Sequence, residues 1–250
     1  MRIPLFSFVV LLAIFPSFAS GQLDASAIVA RADEKFRGKS SRSEMTMKIV
    51  RPDWERTVSM KSWSKGRDYS LILITAPAKE QGQVFLKRKN EMWNWVPSID
   101  RMIKVPPSMM SQSWMGSDYT NDDLLKESSI VVDYSHTLKG TDTIDGYACY
   151  RIELIPKPDA AVVWGKIIMW ITRDGFDELK VEHYDEDGKL VTTELLSAIK
   201  KMGNRSIPTH MEIIPAGASG KKTVLDISSA VFDEPMDESF FSQQNMKRLK

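Results

Sequence analysis

Residues 45–75, MTMKIVRPDWERTVSMKSWSKGRDYSLILIT, decide how this chain folds. Met45, Met47 and Ile49 alternate with Thr46 and Lys48. Trp54, Arg56, Val58, Met60 and Ser62 follow at even spacing, and Lys65-Gly66 supplies a turn before the β-branched run Tyr69–Thr75. A period of two sends successive side chains to opposite faces of a strand, so this stretch reads as a meander of half-buried strands. Upstream the period is 3.6. Asp24 can cap a helix from Ala25, Ile28, Val29, Ala32 and Phe36 form one apolar stripe, and Gly38 stops it. Downstream, strands are expected over 83–87, 92–96, 101–105, 130–138, 147–155, 164–172, 178–184, 190–200, 206–214 and 221–232. Lys89-Asn90, Asp145-Gly146, Asp174-Gly175, Asp187-Gly188, Gly203-Asn204 and Ser219-Gly220 mark turns between them. The expected fold is mainly β: one curled antiparallel sheet, an incomplete barrel of about ten to twelve strands by these signals, because strand twist makes large open sheets curl.

The chain has 250 residues, 42% of them apolar, which is enough for one ordinary domain with a real core. Thirty-four Lys and Arg balance 33 Asp and Glu, so the basic surface that non-specific nucleic-acid binding needs is excluded. A single cysteine, Cys149, excludes an intramolecular disulfide framework. At the start, Arg2 precedes an apolar run over 5–15 that Pro16 breaks, too short for a bilayer core of about 30 Å. Small residues follow at 17–21. The pattern predicts a cleaved signal peptide over 1–21 and one domain over 22–250, exported to the periplasm.

One long interruption separates Val105 from Ile130, PPSMMSQSWMGSDYTNDDLLKESS. Connections of this length inside a sheet domain are usually functional or disordered. Met109, Met110, Trp114 and Met115 would be costly to leave in water, and Thr120 with Asp123 forms a small capping box for a helix starting at Asn121 and carrying Leu124 and Leu125 inward. The segment is either a plug docked on the core or a lid over a hollow. By strand parity, the concave face of the sheet carries Met47, Ile49, Val58, Met60, Leu71, Leu73, Leu86, Trp95, Ile103, Val105, Tyr150, Ile152, Leu154, Ile168, Trp170 and Val181. These are the candidate ligand-binding residues, and the ten of fourteen methionines that fall in strands or the long interruption suit either a groove that repacks around its occupant or the filling of irregular core gaps.

Signals of chemistry are few. There is no Gly-rich phosphate loop or nucleophile elbow, and His136, His183 and His210 fall on separate expected strands without a partner at metal-ligand spacing. No catalytic residue, metal site or cofactor is expected.

Three stretches resemble the outer-membrane lipoprotein-sorting (LolA-like) proteins. They are Pro77-Ala78-Lys79-Glu80-Gln81-Gly82-Gln83-Val84-Phe85-Leu86, Met92-Trp93-Asn94-Trp95-Val96-Pro97, and Trp114-Met115-Gly116-Ser117-Asp118-Tyr119-Thr120-Asn121-Asp122-Asp123-Leu124. The turn at Tyr184-Asp185-Glu186-Asp187-Gly188-Lys189-Leu190 is similar too. The resemblance spans the mature chain in order and implies a periplasmic protein without enzymatic activity. It implies a helix-lidded half-barrel that takes up acyl chains of lipoproteins or lipids and ferries them toward the outer membrane. It further implies an inner-membrane exporter of the resistance-nodulation-division (RND) type and an outer-membrane acceptor as partners. The other readings are a lipid- or lipoprotein-sensing module of the same fold and an enzyme built on the scaffold.

Overall fold

A computed structural model of the chain describes residues 24–121, 123, 130–160 and 162–249. The expected signal peptide, Leu124 and Leu125 lie outside them. Helix α1 (Ala25–Arg37) forms where the stripe and its caps predict, with the Asp24 carboxylate accepting from Ser26 N and Gly38 closing the helix at φ +69°. Thirteen strands follow, one more than the expected upper bound. They are β1 (Ser40–Arg51), β2 (Trp54–Lys65), β3 (Tyr69–Ala76), β4 (Val84–Arg88), β5 (Glu91–Val96), β6 (Arg101–Lys104), β7 (Tyr134–Ile144), β8 (Tyr147–Pro156), β9 (Lys166–Thr172), β10 (Glu178–Tyr184), β11 (Leu190–Met202), β12 (Arg205–Pro215) and β13 (Lys222–Phe232). A strand was expected over 130–138; β7 instead begins at Tyr134 and runs to Ile144, because residues 130–133 are taken up by a turn.

All strands join one antiparallel sheet in the order β6-β5-β4-β3-β2-β1-β13-β12-β11-β10-β9-β8-β7. Chain ends and middle are thereby exchanged: β1 and β13 lie near the centre, while β6 and β7, consecutive in sequence, are the two free edges. The sheet does not close. The long connection between β6 and β7 therefore runs from one edge to the other.

The inner face is covered by two pieces. Ile28, Val29 and Ala32 of α1 pack on Ile152, Leu154, Ile167, Met169, Ile171 and Val181 of β8–β10. Trp114 of the long connection packs on Met47, Ile49, Val58, Met60, Ile74 and Phe85. The outer face has its own cover, which the sequence signals did not anticipate. Phe241 and Met246 of the C-terminal segment seal Leu71, Leu73, Val84, Leu86 and Trp95, and Lys247 Nζ sits 4.9 Å above the Trp95 ring. A smaller outer cluster gathers the buried thiol of Cys149 with Trp170 and Leu179. Leu179 reaches that face because a bulge between Glu178 and Lys180 shifts the strand by one residue.

Phe241 is fully buried, in ring contact with Tyr69 at 5.5 Å and Phe240 at 5.4 Å. The replacement Phe241→Ala removes that anchor from the outer face and is expected to cost about 3–5 kcal/mol of unfolding free energy in a denaturant titration.

Candidate functional site: a divided apolar hollow on the inner face

Between α1, the β6–β7 connection and the inner face lie two adjoining cavities. The first, about 150 Å³, is bounded by α1 and β9–β12, with Ile130, Tyr134, Val162, Trp164, Ile167, Met169 and Val181 among its walls. The second, about 200 Å³, lies over β1–β5 and β13, with Met45, Met47, Met60, Ile72, Phe85, Met92, Leu225 and Ile227. Phe36, Arg37, Tyr119, Ile207 and Met211 line both. Each wall is mostly aliphatic, aromatic and thioether, surfaces that bind apolar chains without demanding one shape.

Both covers are fastened by charge. Asp33, its side chain only 6% exposed, receives Arg67 of the β2–β3 turn at 2.6 Å and Arg37 of its own helix at 3.3 Å. On the other side of α1, Lys35 bonds Asp177 at 2.5 Å and the Gly175 carbonyl at 2.8 Å. Arg205, paired with Asp233, donates to the carbonyls of Glu34 and Lys35 at 3.1 and 3.0 Å. The helix is thus strapped to both halves of the sheet at its C-terminal end. In the connection, Asp118 receives Arg51 at 3.0 Å and the Thr223 hydroxyl at 2.6 Å, while Arg56 donates to the Met115 carbonyl at 3.1 Å. These bonds seat Trp114 edge-on against Phe85, ring centroids 5.3 Å apart.

The sequence-derived site residues divide three ways. Met47, Met60 and Val181 line the cavities, as does Trp114. Ile49 and Val58 face the same way beneath the connection, with Val105, Met110 and Met115 packed beside them. Ile152 and Leu154, with Tyr150 against them, sit under α1. Met109 is 39% exposed. The third group is a correction. Leu71, Leu73, Leu86 and Trp95 point to the outer face beneath the C-terminal segment, and Ile168 and Trp170 join the outer cluster around Cys149. Their neighbours Ile72, Phe85, Ile167 and Met169 are the inward ones. Ile103, on the short edge strand β6, is 41% exposed. Both faces of β3 and β9 are apolar, so period two carries no sign there. Residues missed altogether are Phe36, Ile207, Met211, Leu225 and Ile227. The alternation Ile207-x-Thr209-x-Met211-x-Ile213 in β12 was the signal for Ile207 and Met211.

The capping box closes as expected: Thr120 N donates to Asp123 Oδ2 at 2.8 Å and Asp123 N to the Thr120 hydroxyl at 3.1 Å. It carries the Asp123 carboxyl into the first cavity, where His183 Nε2 lies 3.2 Å from Glu194 Oε1 and the His183 ring meets Trp164 at a tilt, centroids 4.9 Å apart. Burial raises the Asp123 carboxyl above its usual range, against the lowering effect of the Thr120 hydrogen bonds. A raised native value means that the proton stabilises the fold below the unfolded carboxylate value, about 3.9, and that this contribution is lost as pH rises through the native value. The stability difference between Asp123→Asn and the wild type is therefore expected to shift in favour of the variant from pH 4 to pH 7. Paired denaturant titrations across that range measure it, and a flat difference would contradict the burial effect.

A family model described as an uncharacterized protein matches residues 66–248. A comparison with curated protein sequences returns no match. Among solved structures, a DUF1329 family protein from Desulfovibrio piger is 26% identical, covering 89% of this chain and 97% of its own, with a TM-score of 0.80. A LolA superfamily protein from Nitrosomonas europaea is also 26% identical, covering 90% and 100%, with a TM-score of 0.75. A domain from Vibrio parahaemolyticus described as an outer membrane lipoprotein-sorting protein shares the fold, with 22% identity, coverage of 90% and 98%, and a TM-score of 0.77. The family model matches most of the chain's length and the LolA superfamily protein shares its fold at 26% identity; the chain belongs to the LolA-like family.

Proposed function

We propose that this protein is a periplasmic carrier that shelters acyl chains of lipoproteins or lipids in the divided hollow while moving them toward the outer membrane. The observation that carries the reading is a sheet of thirteen strands whose inner face is left incompletely filled by its own side chains, with two adjoining apolar cavities beneath a strapped helix and a docked connection. The physical requirement is severe. Each CH₂ taken out of a bilayer and into water costs about 0.8 kcal/mol, so a chain of about sixteen carbons needs a replacement surface worth more than ten. A dry groove supplies such a surface. Release follows because Trp114 and its methionine neighbours occupy the same apolar face that a guest would, and so compete with it.

The work assigned to the hollow is binding rather than turnover, and export by the N-terminal signal accounts for the location. The resemblance to lipoprotein-sorting proteins supports the direction of traffic. An RND-type exporter as donor and an outer-membrane protein as acceptor complete the proposed route.

Native mass spectrometry of protein extracted from periplasm without detergent tests the reading. Lipid adducts are expected on the wild type. Met211→Trp, which fills the wall shared by the two cavities, is expected to reduce the adduct fraction about tenfold or more while the protein stays folded. Consistently lipid-free wild-type protein would overturn the assignment.

A further inference from the structure

The second cavity changes character along its length. Strand register places Ser41 of β1 beside Ser64 of β2, Ser64 beside Ser70 of β3, and Ser70 beside Lys87 of β4, a continuous row across four strands. The next inward row is Ser43, Ser62, Ile72 and Phe85, and the row after that Met45, Met60 and Ile74. All of these but Ile74 line the cavity. The wall therefore passes from hydroxyl and ammonium, through a mixed row, to thioether and aliphatic carbon, and ends at Met47 and Trp114. At a strand rise of about 3.3 Å per residue, Ser41 to Met47 spans about 20 Å.

Serine is a poor strand former, and five on one face of three adjoining strands forfeit apolar contact that the rest of the inner face exploits. Ser41 and Ser64 bond each other at 2.7 Å. The half-buried Ser43, Ser62 and Ser70 line the cavity beside them. Arg37 from α1 and Arg67 from the β2–β3 turn close the same end, each paired with the Asp33 carboxylate. Among the described residues lining this cavity there are two Arg and one Lys and no Asp or Glu. The first cavity has the opposite balance, with Asp33, Asp123, Asp177, Glu178 and Glu194 against Lys35 and Arg37 among its described walls.

We infer that the serine rows, with Arg37, Arg67 and Lys87, form a head-group subsite for the phosphate of an anionic amphiphile whose tail runs toward Trp114. This rests on the carrier reading and specifies its cargo. Rotatable hydroxyls and basic groups match a phosphate ester, which offers acceptors on several sides and a negative charge. An uncharged diacylglycerol of the same chain length uses the apolar rows but offers the hydroxyls and cations no charged acceptor.

The experiment loads the purified protein from vesicles containing equal amounts of phosphatidylglycerol and diacylglycerol with matched chains, and measures each adduct by native mass spectrometry. The wild type is expected to prefer the phospholipid by about tenfold or more. Ser43→Ala/Ser62→Ala/Ser70→Ala keeps the Ser41–Ser64 hydrogen bond and enlarges nothing but the apolar surface. It is expected to reduce that preference at least about fivefold with thermal stability unchanged, since each hydroxyl contributes a modest hydrogen bond. Lys87→Gln is an independent second variant, with the same direction expected. Both lipids bound without preference, or a preference indifferent to these substitutions, would overturn the head-group subsite and leave the carrier reading standing. Neither lipid bound would sink both.

Discussion

A sheet with two free edges cannot cover its own inner face, and this constraint governs the molecule. A closed barrel fills its interior from all sides. Here thirteen strands stop short of closure, so the cover must come from α1 and from the one connection that joins β6 to β7. Neither is wide enough to fill the space. What remains between them is the hollow, and its presence follows from topology as much as from the identity of any side chain.

The covers are held by polar bonds at their margins as well as by the buried contacts of Ile28, Val29 and Trp114. Asp33, Lys35 and the Arg205 contacts fasten one end of α1, and Asp118 with Arg51 and Thr223 fastens the connection. Such bonds fix position closely but contribute modestly to stability, especially where water reaches them. The ladders and the outer face, where Phe241 and Met246 are sealed over β3 and β4, add stability that does not depend on those margins. This separation lets the inner face exchange its contacts while the sheet stays intact.

How much of this the sequence discloses depends on whether a strand has one apolar face or two. In β1 and β2, charged and hydroxyl residues alternate with Met47, Ile49, Val58 and Met60, and parity reads correctly. In β3 the run Leu71-Ile72-Leu73-Ile74 is apolar throughout, and the choice between faces is made by the C-terminal segment, some 170 residues away in sequence, that happens to dock on Leu71 and Leu73. No local pattern encodes that encounter. The α1 caps and the Thr120–Asp123 box were legible because they are short-range chemistry. The serine rows were visible letter by letter, but their alignment is a property of register, which emerges only when four strands are laid side by side.

The partition between the two compartments is built of side chains. Phe36, Tyr119, Ile207 and Met211 make it, with the Tyr119 hydroxyl resting on the Met211 sulfur at 3.0 Å. No strand or helix backbone has to move for such a septum to open; a few torsions suffice, and a thioether turns more readily than most. The interior can thus act as two small chambers or one long one, so the proposed carrier would need no redesign of its ribs to take a guest with one tail or with several.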